Sequence, residues 1–191
     1  RGDAAAAAGA ARLIMEHDAR QRRRVAPVTV EDAVFIQANN RMFGVAFWFL
    51  VGGPAGAWLF RVSDLMRRHA VMEHRDLFEH EARGLDFVHA LQGIHGVLAW
   101  LPARLLAVGY ALAGSFDEAF ASWRALMGKR LTGFFEHNDE ILMHVGRGAL
   151  RSDASSGSDL ERCRGALRLI SRASLIWLVI VALLVLFGRI V

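Results

Sequence analysis

Three polar residues stand close to long apolar stretches of this chain and could form a ligand-binding pocket: Asn40, Asp64 and Arg104. An amide, a carboxylate and a guanidinium together offer hydrogen-bond donors, acceptors and both signs of charge. Arg104 lies inside an apolar block, where a charge is costly and usually faces the protein interior, water or lipid headgroups. The alternative for Arg104 is an anchor whose long side chain reaches the membrane surface.

The sequence contains no complete motif for catalysis or metal binding. His80-Glu81 begins like the zinc-binding helix of metalloproteases, but no second histidine follows four residues after the first. Glu136, Glu140 and His144 share one helical face and could hold a metal, although a solvated helix surface is the more common meaning of that pattern. The sequence has no P-loop, dinucleotide fingerprint or nucleophile–base–orienter set. We therefore expect no catalytic residue, no metal and no cofactor.

The element that positions Asn40 and Asp64 is the apolar run of residues 42–60, MFGVAFWFLVGGPAGAWLF, which holds nineteen residues and no charge. As a single helix it would rise about 28 Å, close to the hydrocarbon thickness of a bilayer. Arg41 precedes the run and Arg61 follows it. This pattern predicts a membrane helix.

Glycines in the run indicate close packing. Gly52 and Gly56 have the GxxxG spacing that lets another helix approach, and we predict that Gly52, Gly53 and Gly56 form a helix-packing surface. Pro54 removes a backbone donor and predicts a kink. The alternative is a Gly-Pro bend between two half-helices, and both interpretations can hold together.

A polar helix is predicted to lead into the run. Thr29 is the expected N-cap, and Glu31 and Asp32 favour the first helical turn. We expect this helix to continue through Asn39 and Asn40 into the apolar run without a loop.

The predicted fold class is all-α: a polytopic α-helical membrane protein with amphipathic or soluble helices between apolar helices. Residues 93–114 form a second apolar block, interrupted by Pro102 and Arg104, which is either a broken span or an interfacial helix. The predicted division of the chain is a soluble basic helix and linker at 1–28, a membrane domain at 29–114 with the bent helix 42–60, a soluble helical segment at 115–172 with a flexible linker at 152–159, and a C-terminal membrane helix at 173–191.

The composition agrees with a membrane protein. Of 191 residues, 54% are hydrophobic, and 23 Lys and Arg stand against 19 Asp and Glu. The resulting basic character fits segments beside anionic lipid, and no basic stripe with interleaved aromatic residues indicates nucleic acid. Cys163 is the single cysteine, so no intrachain disulfide is possible. The expected partners are the lipid bilayer and a membrane protein or a second copy of the chain, with no nucleic acid.

Three segments together resemble one family, that of AmpE. They are QANNRMFGVAFWFLVGGPAGAWLFR (37–61), LAWLPARLLAVGYALAG (98–114) and ASLIWLVIVALLVLFG (173–188). The resemblance covers most of residues 30–191. It implies a multi-pass protein of the bacterial inner membrane, associated with control of β-lactamase induction and the antibiotic response. It also implies a further N-terminal membrane part before the first residue of this sequence.

The AmpE family in turn resembles the CobD/CbiB membrane enzymes of cobalamin synthesis, which form adenosylcobinamide phosphate. Those enzymes carry a Glu-Ser…Ala-Glu-Asn motif just before the same apolar run. Here the matching positions are held by Phe35, Ile36, Ala38, Asn39 and Asn40. An Asp-Asp pair of the enzymes is replaced by His95-Gly96. The resemblance therefore implies that the carboxylates able to activate an amine or hold Mg²⁺ are missing here.

The leading functional hypothesis is a non-catalytic inner-membrane signalling protein. The alternative is a synthase of the CobD/CbiB type, with Asn40, Asp64 and Arg104 as its remaining candidates and Glu31 or Asp32 as a displaced acid. A second alternative is a structural subunit that the glycine surface holds in a larger membrane complex.

Overall fold

The computed structural model describes residues 29–76, 82–127, 134–151 and 159–188, and almost all of them are helical. The helices are α1 (Val30–Ala38), a π-helical turn (Asn39–Phe43), α2 (Gly44–Asp76), α3 (Ala82–Ala113), α4 (Phe116–Met127), α5 (Phe134–Leu150) and α6 (Asp159–Gly188). The predicted all-α fold class is confirmed. The basic helix predicted for 1–28 lies outside the described residues, as does the linker predicted for 152–159 except for its last residue.

Within the described ranges, three stretches are long and apolar enough to cross a membrane: Val30–His69, His89–Ala113 and Leu160–Gly188. The apolar side chains of the third stretch are largely exposed, as expected of a surface that lipid covers. The second stretch is more deeply buried, because the other helices pack around it.

The first stretch begins with the predicted cap. The Thr29 hydroxyl accepts a bond from the Asp32 amide at 3.3 Å, and the Asp32 carboxylate accepts one from the Thr29 amide at 3.0 Å. This reciprocal capping box satisfies two amides that a helix start leaves open. From Val30 the helix continues through the π-helical turn into α2 without a loop, which confirms the sequence prediction.

The chain reverses direction at Gly53. The backbone of this residue leaves the helical region at φ 63° and ψ −157°. A β-carbon at Gly56 would overlap the carbonyl of Trp48, and one at Gly44 would overlap the ring of Phe60. In a straight helix, residues eight apart are separated by about 12 Å and residues sixteen apart by about 24 Å. The parts of α2 before and after Gly53 must therefore lie side by side.

The apolar run is thus divided between two antiparallel arms of α2, 44–52 and 54–76. Its share of each arm is about ten residues or fewer, which rises about 15 Å at most, half the hydrocarbon thickness. Of the two sequence interpretations, the structure shows the Gly-Pro bend between half-helices, with Gly56 packed against the other arm. Gly52 and Gly53 meet no atom of the described residues within 4 Å of a β-carbon position, so their packing role stays a prediction.

Helix α3 is the central helix and runs to Ala113 without interruption at Pro102. The Trp48 indole donates to the Leu98 carbonyl at 3.0 Å, and the Phe35 and Tyr110 rings pack 5.1 Å apart. These two contacts set α1 and the first arm of α2 antiparallel to α3. The Trp177 indole donates to the Leu105 carbonyl at 3.0 Å, which places α6 against another side of α3.

Helices α4 and α5 belong to the same core as the membrane-length helices. The Asn138 amide donates to the Gly96 carbonyl at 2.8 Å, and the Ser115 amide donates to the Ala149 carbonyl at 2.8 Å. Helix α5 therefore runs alongside α3, in the same direction. One cluster of buried residues joins them: Phe35, Ala103, Leu106, Tyr110, Ala119, Leu126, Ile141, Leu142, Val145 and Ala149. Helices α4 and α5 thus pack against α3, and the predicted division of the chain at residue 115 stays a prediction.

Candidate functional site

Buried polar residues meet where the π-helical turn, the second arm of α2, α3 and α5 come together. We call this group the polar centre, and its members are Asn39, Asn40, Ser63, Asp64, Arg67, Arg68, His95, Asn138 and Asp139. Each is less than a tenth exposed. Burying polar groups is unfavourable unless they find partners, so their arrangement decides what the centre can do.

Asp64 is held by arginines of its own helix. Its side chain is fully buried, Arg67 donates to Oδ1 at 2.7 Å, and the Arg68 guanidinium pairs with Oδ2 at 2.8 Å. Arg61 adds a longer ion pair of 3.6 Å. The arginines stand at spacings of three and four residues, which place side chains on one helical face. The negative charge of Asp64 is therefore compensated within its own helix.

His95 of α3 faces this arginine–carboxylate group. Its Nδ1 lies 3.0 Å from Ser63 Oγ, and its Nε2 lies 3.8 Å from Asp64 Oδ1. Ser63 Oγ also donates its proton to the Phe60 carbonyl at 2.8 Å. Because a hydroxyl has one proton to donate, the network assigns the donor between His95 and Ser63 to His95 Nδ1–H. This Ser, His and Asp grouping is consequently not arranged as a base that activates a nucleophile.

The asparagines of the π-helical turn complete one side of the centre. Asn39 donates to Asn40 Oδ1 at 3.3 Å, and both side chains are almost fully buried. Asn39 Oδ1 is buried without a hydrogen-bond partner among the described residues. Single turns of π-helix often occur at functional sites. Of the two positions before the apolar run where the resemblance implies a lost glutamate, Asn39 is buried in this turn and carries an amide, whereas Phe35 is buried against the Tyr110 ring.

Arg104 connects α3 to α5. It donates to the Trp100 carbonyl at 3.0 Å and to Asn138 Oδ1 at 2.9 Å, and its guanidinium lies 4.3 Å from the centre of the Trp100 ring. Asn138 in turn donates to the Gly96 carbonyl. In this structure Arg104 is a bridge between two helices, and its charge is directed at protein groups.

The three residues singled out in the sequence belong to one neighbourhood through intermediates. Asp64 contacts Arg67, which is within electrostatic range of Asp139 on α5. The neighbouring Asn138 binds Arg104. Asn40 directly precedes Arg41, which is within electrostatic range of Asp64.

Sequence reasoning did not select Arg67, Arg68, His95 and Asn138. The spacing of Arg67 and Arg68 from Asp64 is a usable signal, since it is the spacing of helical ion pairs. His95 is a polar residue inside an apolar block, which also marks a buried polar role. Asn138 gives no such signal, because its partners Arg104 and Gly96 are more than thirty residues away in the chain.

Two further observations concern α5. Burial lowers the pKa of His137 below its ordinary value of 6.5, and the positive charge of Arg104 lowers it further, while Glu140 acts in the opposite direction. The side chain of Glu136, part of the possible metal-binding face, is outside the described set. Among the described residues, no group of three or more His, Cys, Asp or Glu side chains is placed to hold a metal.

The described residues are almost all helical and include three stretches that are long and apolar enough, by length along the chain and composition, to cross a membrane. Together with the family match that follows, they indicate a membrane protein. The chain belongs to the AmpE family: the sequence profile described as "Regulatory signalling modulator protein AmpE" matches residues 13–191. The resemblance stated from the sequence is thereby confirmed.

The chain is similar both to CobD proteins and to an AmpE protein. The cobalamin biosynthesis protein CobD of Stutzerimonas stutzeri (strain A1501) is 32% identical over 130 residues, covering 60% of this chain and 41% of the relative. The CobD protein of Chromobacterium violaceum is 30% identical over 134 residues, covering 70% and 39%. Protein AmpE of Shigella flexneri is 28% identical over 152 residues, covering 76% and 48%.

The chain spans less than half the length of each of these relatives. No solved structure matches the chain.

Proposed function

We propose that the chain acts as a multi-pass regulatory protein of the bacterial inner membrane, in the control of β-lactamase induction, and that it does so without catalysing a reaction. The family match over residues 13–191 and the AmpE protein of Shigella flexneri support the regulatory role. The single observation that favours a non-catalytic mechanism is the state of Asp64. Its two oxygens are engaged by Arg67 and Arg68, so it is unsuited to act as a general base.

The remaining groups of the polar centre agree with a binding role. Asn39 and Asn40 can donate and accept hydrogen bonds but cannot take up a proton from an amine at neutral pH. The Ser63 proton is directed at the Phe60 carbonyl and away from His95. Such a centre can instead act by binding. If the helices have two packing arrangements, a ligand or partner that binds the polar centre more tightly in one of them shifts the protein toward that arrangement.

Induction in the source bacterium tests this role. Deletion of the gene is expected to change the β-lactamase activity reached after exposure to a β-lactam by severalfold, and the wild-type gene is expected to restore it. Asp64→Asn should fail to restore it, whereas Asp117→Asn, which changes an exposed carboxylate of α4, should succeed. Unchanged induction in the deletion strain would contradict the proposal.

A synthase of the CobD type is the second candidate, because two CobD proteins are 32% and 30% identical to this chain. If this candidate is right, the full-length gene should rescue a bacterium that is unable to form adenosylcobinamide phosphate. Rescue by the wild-type gene would favour the enzyme, and absence of rescue would favour the regulator.

A further inference from the structure

The polar centre has one side that is open to solvent, where Arg41 and Arg61 lie, and this side is rich in positive charge. Gln37 Oε1 accepts a bond from Arg41 Nε at 2.8 Å and another from Arg68 Nη2 at 3.2 Å. One neutral oxygen therefore holds two like charges close to each other, although they repel. Such an arrangement calls for a negative charge nearby.

Within the described part of the chain, the carboxylates near this site are fewer than the arginines. Arg41 is within electrostatic range of Arg61, Arg68 and Asp64, and Arg67 is within range of Asp64 and Asp139. The members of this charged group are Arg41, Arg61, Arg67 and Arg68 against Asp64 and Asp139. Among the described residues of this group, the guanidinium groups thus outnumber the carboxylates by two. In or near hydrocarbon, such an excess is strongly unfavourable.

This excess charge is accessible from outside. Asp64 and Arg68 are buried, but Arg41 is exposed and the Arg61 side chain is 42% exposed. The buried Arg68 Nε has no hydrogen-bond partner among the described residues. The reversal at Gly53 brings about this arrangement, since Arg41 and Arg61 flank the apolar run and would otherwise lie at its opposite ends.

We propose that Arg41, Arg61 and Arg68 form a binding site for a phosphate group, carried either by an anionic phospholipid or by a free phosphorylated compound. Guanidinium groups match phosphate oxygens with paired hydrogen bonds. A phosphomonoester carries about −1.5 to −2 charges at neutral pH, which is close to the excess at this site. The proposal goes beyond the regulatory role, because it concerns binding and holds for a regulator or an enzyme.

Binding to the purified protein in neutral phosphatidylcholine nanodiscs tests the site. One arm titrates inorganic pyrophosphate by calorimetry, which reports a free ligand. The other arm adds phosphatidic acid, whose headgroup is a phosphomonoester, to the nanodiscs and measures the lipid retained by the protein in mass spectrometry. Binding in either arm is expected, and the arm in which it occurs identifies the source of the phosphate.

Variants assign the binding to the arginines. Arg41→Gln and Arg61→Gln should each weaken it about tenfold or more. Arg124→Gln, which removes the same charge from an exposed position on α4, should leave it unchanged. Arg41→Lys and Arg61→Lys keep the charge and fold but lose the paired geometry, and should bind with intermediate strength. The proposal is overturned if the wild type binds in neither arm, or if Arg124→Gln weakens binding as much as Arg41→Gln does.

Discussion

The carbonyl oxygen of Trp48 occupies the place that a β-carbon at Gly56 would need, although the two residues are eight positions apart in one apolar run. Only a chain that turns back at Gly53 allows this contact. The same turn brings Arg41 and Arg61 to one end of the run. The site of phosphate binding that we propose therefore depends directly on the reversal.

Glycine at position 56 is predicted to be required for the two arms to pack. Gly56→Ala adds a methyl group against the Trp48 backbone and should destabilise the fold by about 1–3 kcal/mol, as overpacking commonly does. Gly52→Ala is the matched control, because no described atom lies within 4 Å of its β-carbon position. Thermal unfolding in detergent measures both. Equal stability of the two variants would contradict side-by-side packing of the arms.

Asp64 is predicted to hold the polar centre together. Asp64→Asn leaves buried Arg67 and Arg68 without their counter-charge and should cost about 3–5 kcal/mol, the usual effect of breaking a buried ion pair. Denaturant unfolding of the purified protein measures it, with the exposed Asp117→Asn as control. A loss similar to that of the control would show that the centre is open to water.

Arg104 is predicted to fasten α3 to α5. Arg104→Ala removes the bonds to Asn138 and to the Trp100 carbonyl and should destabilise the protein by about 1–3 kcal/mol. Asn138→Ala in the same protein measures the coupling between the two side chains in a double-mutant cycle. If the two effects simply add, Arg104 acts as a surface anchor and not as a bridge.

Folding stability is predicted to depend on pH through His137. Because burial and Arg104 lower the pKa of His137 in the folded state, the unfolded chain binds a proton at higher pH than the folded protein does. The contribution to stability is therefore present above about pH 6.5 and is lost as the pH falls toward the folded-state value. His137→Gln should lose less stability than the wild type between pH 8 and pH 5. An identical loss in both proteins would exclude this role for His137.

The sequence predicted the helical class, the cap at Thr29 and the unbroken entry into the apolar run because these depend on local residue types. It could not predict how far the chain bends at Gly53. Nineteen apolar residues have the same composition whether they cross a membrane once or fold back, and Gly52-Gly53-Pro54 permits a kink of any size. The reversal is decided by contacts such as that of Gly44 with Phe60.

Part of the candidate site could also be predicted from the sequence. Asn40, Asp64 and Arg104 stand out as polar residues beside apolar stretches, and the structure places Asp64 and Asn40 in the polar centre and Arg104 at its edge. Asn138 could not be found, because its place is set by packing of α5 against α3. The polar pattern of residues 115–172 predicted a soluble helical segment, and it could not show that Ile141 and Leu142 pack into the common core.

The most direct test of the reversal at Gly53 is a distance between the two arms. Spin labels at Met42→Cys and Leu65→Cys, both exposed, can be measured by pulsed electron resonance in a Cys163→Ser background. Packed arms predict a distance below about 20 Å, since neighbouring helices lie 8–10 Å apart. One continuous helix through Gly53 would separate the labelled positions by about 35 Å, and that result would contradict the account.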